Sequence, residues 1–311
     1  MHPAQKPSAL RPGDGIRVLS LASPVQEELL QAGVKELSAL GYKPWVDREQ
    51  ALAHESFFAG SHDGRVNQLR SALRDPETRA IFCSRGGYGT NYLLECLTEV
   101  PKTPKILLGA SDITSLQIFL WQEFGWVTFY GPMVATNFNR GPGASHGYDR
   151  ESLRKALTQT QGGASLDLHG EPLVEGRAEG VLLGGCLTLI ETSLGTPWEL
   201  DTTGAILALE DRAMKPYQID RAVMHLKQAG KLKGVTGIVL GDFPECEGPA
   251  GGETVKDVAR RVLEPLGVPV VWGAPIGHTS RAMLTLPLGI RAALSSEGGG
   301  MLKILEPACV P

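Results

Sequence analysis

The sequence lacks the features that mark nucleic-acid-binding and membrane-spanning proteins. It has no basic excess, since 30 Lys and Arg residues stand against 34 Asp and Glu residues, a formal net charge of −4. A nucleic-acid footprint needs a clear basic patch. No apolar run approaches the ~20 residues of a membrane helix, and the opening residues MHPAQKPSALRPGDG have no apolar core of the signal-peptide kind. We therefore expect a cytoplasmic protein that binds neither nucleic acid nor membrane.

Cysteine is also scarce and shows no CxxC pairing. The five residues are Cys83, Cys96, Cys186, Cys246 and Cys309. This scattered spacing argues against a disulfide framework or a structural zinc site. No cluster of His, Cys and carboxylate residues has metal-ligand spacing, so we expect no metal and no other cofactor. Cys83 and Cys186 lie in apolar segments that favour small buried side chains, although a thiol remains a rival candidate for a nucleophile.

An alternation of strand-like and helix-like segments runs through the 311 residues. The composition, 42% hydrophobic and 21% charged, is ordinary for a globular chain of about two domains or one large one. Helical spacing is seen, for example, in Leu30, Val34 and Leu37. Continuous apolar runs predict buried strands, namely IRVLSLAS, AIFCS, KILLGAS, VTFYG, LALE, GIVLG and PVVWG. This alternation predicts an α/β fold with a parallel sheet covered on both faces.

The composition changes between residues 137 and 176, where the chain becomes rich in glycine and polar residues. We interpret this stretch as a crossing between two domains, with one short helix near residues 150–157. The predicted organisation is a first domain at 1–140, a linker at 141–175 and a second domain at 176–311.

The segment LLGASDITSLQIF is the first candidate for chemistry. A strand ends at Gly109, a tight turn holds Ser111, and a helix follows at once. A serine in such a turn is exposed at the carboxyl end of a sheet, although the G-x-S-x-G spelling of a nucleophile elbow is absent. The amide of Asp112 would lie at the helix N-terminus, which favours an oxyanion. The simpler alternative is that Ser111 only caps the helix.

The glycine-rich segment SRGGYGTNYLL follows the strand AIFCS. Gly86, Gly87 and Gly89 allow close approach of the backbone to a ligand. A phosphate-binding turn and a purely structural loop are both open on this pattern. The match to G-x-G-x-x-G is weak and no Walker lysine is present, which argues against a nucleotide site. The amides of Gly86 or Gly87 would instead supply a second oxyanion donor.

An acidic pair and a histidine follow strands in the second half of the chain. Glu210 and Asp211 end the strand LALE, and carboxylates at such ends commonly point into a functional crevice. His278 follows PVVWG and is flanked by Gly277 and Thr279. A loop histidine or acidic pair is often only a solvated surface group. The chain order Ser, Glu, His nevertheless provides the base and orienting carboxylate that a serine nucleophile needs.

These segments together resemble the LD-carboxypeptidase family of serine peptidases, which includes muramoyl-tetrapeptide carboxypeptidases and microcin-C-immunity peptidases. The resemblance covers nearly the whole chain. It is carried by the segments LRPGDGIRVLSLASPV, SRGGYGTNYLL, LLGASDIT, FYGPM, VLLGGCLTLI, LGTPWELDTTGAILALED, PYQIDR and PIGHT. One departure is Cys186 after the glycine pair, where the family often has asparagine.

The resemblance implies roles for individual residues. Ser111 is similar to the family nucleophile, Glu210 to its orienting carboxylate and His278 to its general base, with Asp112 and Gly86 or Gly87 as oxyanion amides. The implied fold is a Rossmann-like or flavodoxin-like first domain that carries the serine and a smaller, strand-rich second domain that carries Glu and His. Homodimers are usual in the family.

The implied reaction is hydrolysis of the L,D-amide bond to the terminal D-alanine of cytoplasmic murein peptides. Arg85 and Tyr88, beside the glycine-rich loop, are expected to contact this substrate and its free carboxylate. Three alternatives stay open. They are a microcin-type amidase, a non-catalytic peptide- or sugar-binding module, and a nicotinamide-dependent oxidoreductase, the last disfavoured because LASPVQEELL lacks glycines.

Overall fold

The computed structural model describes residues 3–311 and arranges their strands in two sheets flanked by helices. The strands are β1 (Gly15–Leu19), β2 (Lys43–Val46), β3 (Thr78–Cys83), β4 (Ile106–Gly109), β5 (Thr128–Tyr130), β6 (Ala164–Asp167), β7 (Glu171–Val174), β8 (Arg177–Cys186), β9 (Ala205–Glu210), β10 (Gly237–Leu240), β11 (Val270–Trp272), β12 (Leu286–Leu288), β13 (Ile290–Ser295) and β14 (Met301–Ile304). The α-helices are α1 (Glu27–Ala39), α2 (Arg48–Leu52), α3 (His62–Arg74), α4 (Asn91–Leu94), α5 (Thr114–Phe124), α6 (Arg150–Thr158), α7 (Leu187–Glu191), α8 (Pro216–Gln228) and α9 (Val255–Leu263). Short 3₁₀ turns lie at Ser111–Ile113, Phe138–Arg140, Glu264–Leu266 and Glu297–Gly299.

The first sheet has six strands in the order β12-β5-β4-β3-β1-β2. Strands β1 to β5 pair in parallel, and β12 alone runs antiparallel at the edge, with Leu286 opposite Tyr130. The carboxyl ends of the five parallel strands therefore meet at one edge of the sheet. This is the parallel-sheet first domain that the strand–helix alternation predicts.

The second sheet has eight strands in the order β6-β14-β13-β8-β9-β10-β11-β7. Its centre, β8 to β11, is parallel, and antiparallel strands extend it on both sides. The mixed α/β fold with a strand-rich second part is thus confirmed. The hydrophobic pattern of the sequence does not predict strand β8, because its first residues, RAEG, alternate polar and small residues and are only partly buried.

Helix α5 packs between two hydrophobic cores. Leu116 and Leu120 belong to a core that contains residues of both sheets, whereas Ile118 and Trp121 belong to a second core built around the second sheet. Its residues from Thr114 to Trp121 are all buried, including the polar residues Thr114, Ser115 and Gln117. The turn before α5 is therefore held where the two sheets come together.

The predicted linker at 141–175 contains ordered elements. It holds α6, which Asp149 caps by accepting a hydrogen bond from the Ser152 amide at 2.6 Å, and the edge strands β6 and β7. The short helix predicted near 150–157 is confirmed. The domain boundaries themselves stay a prediction, since β12 returns from the second half of the chain to complete the first sheet.

Within residues 3–311, no helix is both long enough and apolar enough to cross a membrane.

Candidate active site

Ser111 lies in the sharp turn between β4 and α5. Its backbone has φ of +60°, a left-handed conformation that costs a non-glycine residue about 1–2 kcal/mol. In the part of the chain that the structure describes, the Ser111 side chain caps neither the 3₁₀ turn nor α5. The geometry is that of a strained strand-to-helix elbow, and it does not match the simpler role of a helix cap.

The glycine-rich loop after β3 lies directly against Ser111. A Cβ atom added at Gly86 would lie 2.7 Å from the Ser111 Cβ and 3.0 Å from its Oγ, so this contact requires glycine. Gly87 has φ of +115°, and a Cβ there would overlap the Ser23 hydroxyl. No hydrogen bond within residues 3–311 engages the amides of Gly86, Gly87 or Asp112. Three unpaired amides therefore lie in the two turns beside the serine.

The side chain of Asp112 fixes the loop to the serine turn. Its carboxylate is buried and accepts hydrogen bonds from the Thr90 amide at 2.8 Å and the Thr90 hydroxyl at 2.5 Å. Burial raises the pKa of Asp112, an effect that the Thr90 hydrogen bonds oppose. Behind the loop, the buried Arg65 guanidinium donates to the carbonyl groups of Gly89 at 2.8 Å and Leu21 at 2.7 Å. The loop backbone is thus held from both sides.

Glu210 and His278 form a hydrogen-bonded pair at the ends of β9 and the β11 loop. One carboxylate oxygen, Oε2, accepts from the His278 amide and from its Nδ1, each at 2.8 Å. Glu210 is 0% exposed, whereas the His278 side chain is 20% exposed. Gly277 has φ of +58°, and a Cβ there would lie 2.1 Å from the Glu210 Cδ. The carboxylate is therefore packed tightly against the turn that presents the histidine.

Both members of this pair have shifted pKa values. Burial acts to raise the pKa of Glu210, but the charge and hydrogen bonds of His278 and the Tyr130 hydroxyl outweigh it, and the pKa is lowered. Burial acts to lower the pKa of His278, but the charge and hydrogen bond of Glu210 outweigh it, and the pKa is raised. A neutral imidazole that donates from Nδ1 to Glu210 keeps a free lone pair on Nε2.

Tyr130, at the end of β5, is a site residue that the sequence analysis does not single out. Its ring is 1% exposed. Its hydroxyl accepts a hydrogen bond from the Ser111 amide at 3.1 Å and donates one to Glu210 Oε1. The available signal was its position. Tyr130 lies one residue before the end of the predicted strand VTFYG, and the carboxyl ends of parallel strands meet at the same edge of a sheet.

Hydrogen bonds therefore connect the three predicted triad residues. They run from the Ser111 amide to Tyr130, from Tyr130 to Glu210, and from Glu210 to His278. The pairing of β12 with β5 helps to bring the two halves of the chain together, since β12 begins eight residues after His278. Within residues 3–311, no direct hydrogen bond joins the Ser111 hydroxyl to His278. Such an arrangement can deliver a serine hydroxyl and an imidazole base to one substrate.

Asp211, the other member of the acidic pair, has a different environment. Its carboxylate accepts from the Thr188 amide at 2.8 Å, from the Thr188 hydroxyl at 2.7 Å and from the Cys186 thiol at 3.6 Å. The Cys186 amide donates to the Thr114 hydroxyl at 3.0 Å, which connects β8 to the start of α5. Burial raises the pKa of the Cys83 and Cys186 thiols, so neither is a ready thiolate.

The two predicted substrate contacts lie in the glycine-rich loop, and both are exposed. Arg85 is exposed and donates to the Pro24 carbonyl at 3.3 Å. Tyr88 is 46% exposed and has edge and tilted contacts with the rings of Phe57 and Phe58. Its amide donates to the Ser23 hydroxyl at 3.1 Å. Tyr88 thus presents an aromatic surface to solvent two residues after Gly86, the glycine that contacts Ser111.

Both halves of the chain match known family profiles. Residues 16–131 match the LD-carboxypeptidase N-terminal domain, and residues 179–294 match the LD-carboxypeptidase C-terminal domain. The chain belongs to the LD-carboxypeptidase family. It is accordingly a serine-type carboxypeptidase, a hydrolase, and the binding-module and oxidoreductase alternatives are set aside.

Individual relatives extend this match over nearly the full length. The chain is 35% identical over 297 residues to a Bacillus subtilis (strain 168) protein named "Probable murein peptide carboxypeptidase", covering 94% of this chain and 92% of that one. The solved muramoyltetrapeptide carboxypeptidase from Oxalobacter formigenes has a TM-score of 0.83 and 30% identity, covering 94% and 99%. The microcin C7 self-immunity protein MccF shares the fold, with a TM-score of 0.88, 24% identity and coverage of 98% and 99%.

Proposed function

We propose that this carboxypeptidase hydrolyses the L,D-amide bond to the terminal D-alanine of murein tetrapeptides, using Ser111, His278 and Glu210 as a catalytic triad. The observation that supports the proposal is the chain of hydrogen bonds from the Ser111 amide through the Tyr130 hydroxyl to the buried Glu210 carboxylate, which accepts from His278 Nδ1. The murein substrate is supported by the names of the Bacillus subtilis and Oxalobacter formigenes relatives.

In the first half of the reaction, His278 Nε2 accepts the Ser111 proton as the serine oxygen attacks the carbonyl carbon of the scissile amide. The resulting imidazolium is stabilised by the negative charge of Glu210, whose Oε2 accepts a hydrogen bond from Nδ1. The C–N bond then breaks, and His278 gives its proton to the leaving amine of D-alanine. In the second half, water attacks the carbonyl carbon of the acyl-serine ester as His278 takes a proton from it. The bond between the acyl carbon and Ser111 Oγ then breaks, His278 returns the proton to Ser111, and the shortened peptide leaves with a new carboxylate.

The amides of Asp112 and of Gly86 or Gly87 are proposed to bind the oxyanion of the tetrahedral intermediate. These amides lack hydrogen-bond partners in the described chain, and Gly86 contacts the serine side chain directly. Loss of one oxyanion donor costs about 2.7–4 kcal/mol in comparable enzymes. Arg85 and Tyr88 are proposed to contact the substrate and its free carboxylate, because they flank these glycines.

Incubation of a murein tetrapeptide with the protein, followed by mass spectrometry, tests the proposal. We expect release of D-alanine by the wild type, no release by Ser111→Ala, and normal release by Cys83→Ser. Ser71→Ala, a change at an exposed serine on α3, is the matched control for the hydroxyl deletion. Turnover by the Ser111 variant would overturn the nucleophile assignment, and loss of turnover in the Cys83 variant alone would reassign it.

A processed microcin is the second substrate in the same assay, because the fold is also that of MccF. Cleavage of the microcin with the tetrapeptide left intact would replace the murein substrate by the amidase alternative. The triad would be retained in that case. Cleavage of the tetrapeptide alone would support murein tetrapeptide as the substrate.

We also propose that the enzyme is a cytoplasmic homodimer. This proposal rests on the resemblance to the LD-carboxypeptidase family. The members of that family are usually dimers that act on cytoplasmic murein peptides. Light scattering on the purified protein would measure its mass, and cell fractionation would locate it. A mass near 33.3 kDa would identify a monomer instead.

A further inference from the structure

The Tyr130 hydroxyl lies between the two parts of the candidate active site. It accepts from the Ser111 amide at 3.1 Å and donates to Glu210 Oε1, and the ring that carries it is almost fully buried. Ser111 follows β4 of the first sheet and Glu210 ends β9 of the second, so one phenol joins the nucleophile turn to the carboxylate. This position is unlike that of a tyrosine that only fills a core.

Glu210 depends on this hydroxyl for the pairing of one of its oxygens. Oε2 accepts both hydrogen bonds from His278, and the bond from Tyr130 is the one that the described chain provides to Oε1. A buried carboxylate oxygen without a donor is strongly unfavourable. The hydroxyl therefore holds the carboxylate in the rotamer that presents Oε2 to the histidine.

The same hydroxyl acts on the serine turn through the Ser111 amide. Ser111 has φ of +60°, a conformation that persists only where neighbouring groups hold it. Directing this amide to Tyr130 orients the peptide plane that precedes the serine side chain. The adjacent amide of Asp112 stays unpaired in the described part of the chain.

We propose that Tyr130 is a positioning residue that couples the orientation of the Ser111 turn to the Glu210–His278 pair across the two sheets. The proposal rests on the proposed triad. Burial, followed by the Glu210 charge, raises the pKa of Tyr130 well above its usual value, so the phenol stays protonated and remains a donor.

The expected pH effect follows from the groups that face the pair. Besides Tyr130, these are the Asp211 carboxylate, the Cys186 thiol and, near His278, the Arg212 guanidinium. Removal of the Tyr130 donor destabilises the Glu210 carboxylate most when His278 is neutral, because an imidazolium would partly compensate the charge. The Glu210–His278 pair of the variant therefore binds a proton more tightly than that of the wild type. A higher pH is then needed to give the neutral His278 base.

The test compares Tyr130→Phe with Tyr148→Phe. Tyr148 is a matched control because it is also buried and donates to a glutamate, Glu36, at 2.6 Å, outside the site. For Tyr130→Phe we expect kcat to fall about tenfold, KM to change less than twofold, and the acid limb of kcat/KM to move up by about one pH unit. Tyr148→Phe should leave kcat and the acid limb unchanged.

Other results would overturn the proposal. An unshifted acid limb in Tyr130→Phe, or an equal shift in Tyr148→Phe, would reduce Tyr130 to a packing role. If Tyr130→Phe does not fold, 3-fluorotyrosine at position 130 replaces it. This stronger donor should move the acid limb to lower pH, and an unmoved limb would contradict the coupling.

A readout without substrate separates this proposal from the proposed function. NMR titration of the His278 ring should show a higher pKa in Tyr130→Phe than in the wild type, whichever peptide the enzyme cleaves. An unchanged titration would overturn the role of Tyr130. Failure of the wild type to release D-alanine would overturn the murein proposal alone.

Discussion

At the scale of single residues, the candidate site combines strain with complete pairing of its buried charge. Ser111 occupies a left-handed turn, and Glu210 has donors on both oxygens although it is fully buried. A buried carboxylate with these partners stays ionised, as its lowered pKa indicates. This ionised carboxylate is the group that stabilises an imidazolium next to it.

The pH dependence of the wild type is a prediction at this scale. The pKa of His278 is raised above 6.5 by the Glu210 charge and hydrogen bond, which outweigh burial. Catalysis requires the neutral imidazole, so kcat/KM should fall as the pH drops through this raised pKa. Measurement of kcat/KM against pH should place the midpoint of the acid limb above 6.5. A midpoint below 6 would contradict the stabilisation of the His278 imidazolium by Glu210.

At the scale of elements, short turns after parallel strands position the reactive groups. The elbow follows β4, the glycine-rich loop follows β3, Glu210 ends β9, and the Gly277–His278 turn follows β11. The sequence predicts these four placements because each apolar strand ends in glycine or polar residues. It does not single out Tyr130, because the position of this residue near the end of an apolar strand is a weak signal that many core aromatic residues share.

Gly277→Ala tests the turn that presents His278. Both Gly277 and Gly251 have positive φ, but a Cβ at Gly277 would collide with the Glu210 carboxyl group, whereas one at Gly251 meets no atom within 4 Å. Gly251→Ala should cost only the backbone strain of about 1–2 kcal/mol. Gly277→Ala should cost about 1–3 kcal/mol more and greatly reduce kcat.

Chemical denaturation and steady-state kinetics of both variants provide the comparison. Equal losses of stability in the two alanine variants, with full activity in Gly277→Ala, would show that Glu210 is not packed against this turn.

At the scale of the whole molecule, the site is completed by contacts between the two sheets. Helix α5 contributes to both cores, the Cys186 amide bonds to Thr114, and β12 returns to pair with β5. The sequence predicts the α/β class and the separate positions of Ser111, Glu210 and His278. Local patterns alone do not predict the contacts that join the two sheets, because a three-residue strand such as β12 has too little pattern to reveal its distant partner. The joint role of the three residues comes from the family resemblance.

The central claim is that the Ser111 hydroxyl is activated by His278. Peptide-mapping mass spectrometry after reaction with a serine-directed phosphonate measures this most directly, because it needs no assumption about the natural substrate. The wild type should gain one adduct, located on Ser111, and His278→Ala should label at least about a hundredfold more slowly. An adduct on another residue, or an unchanged labelling rate in His278→Ala, would contradict the account.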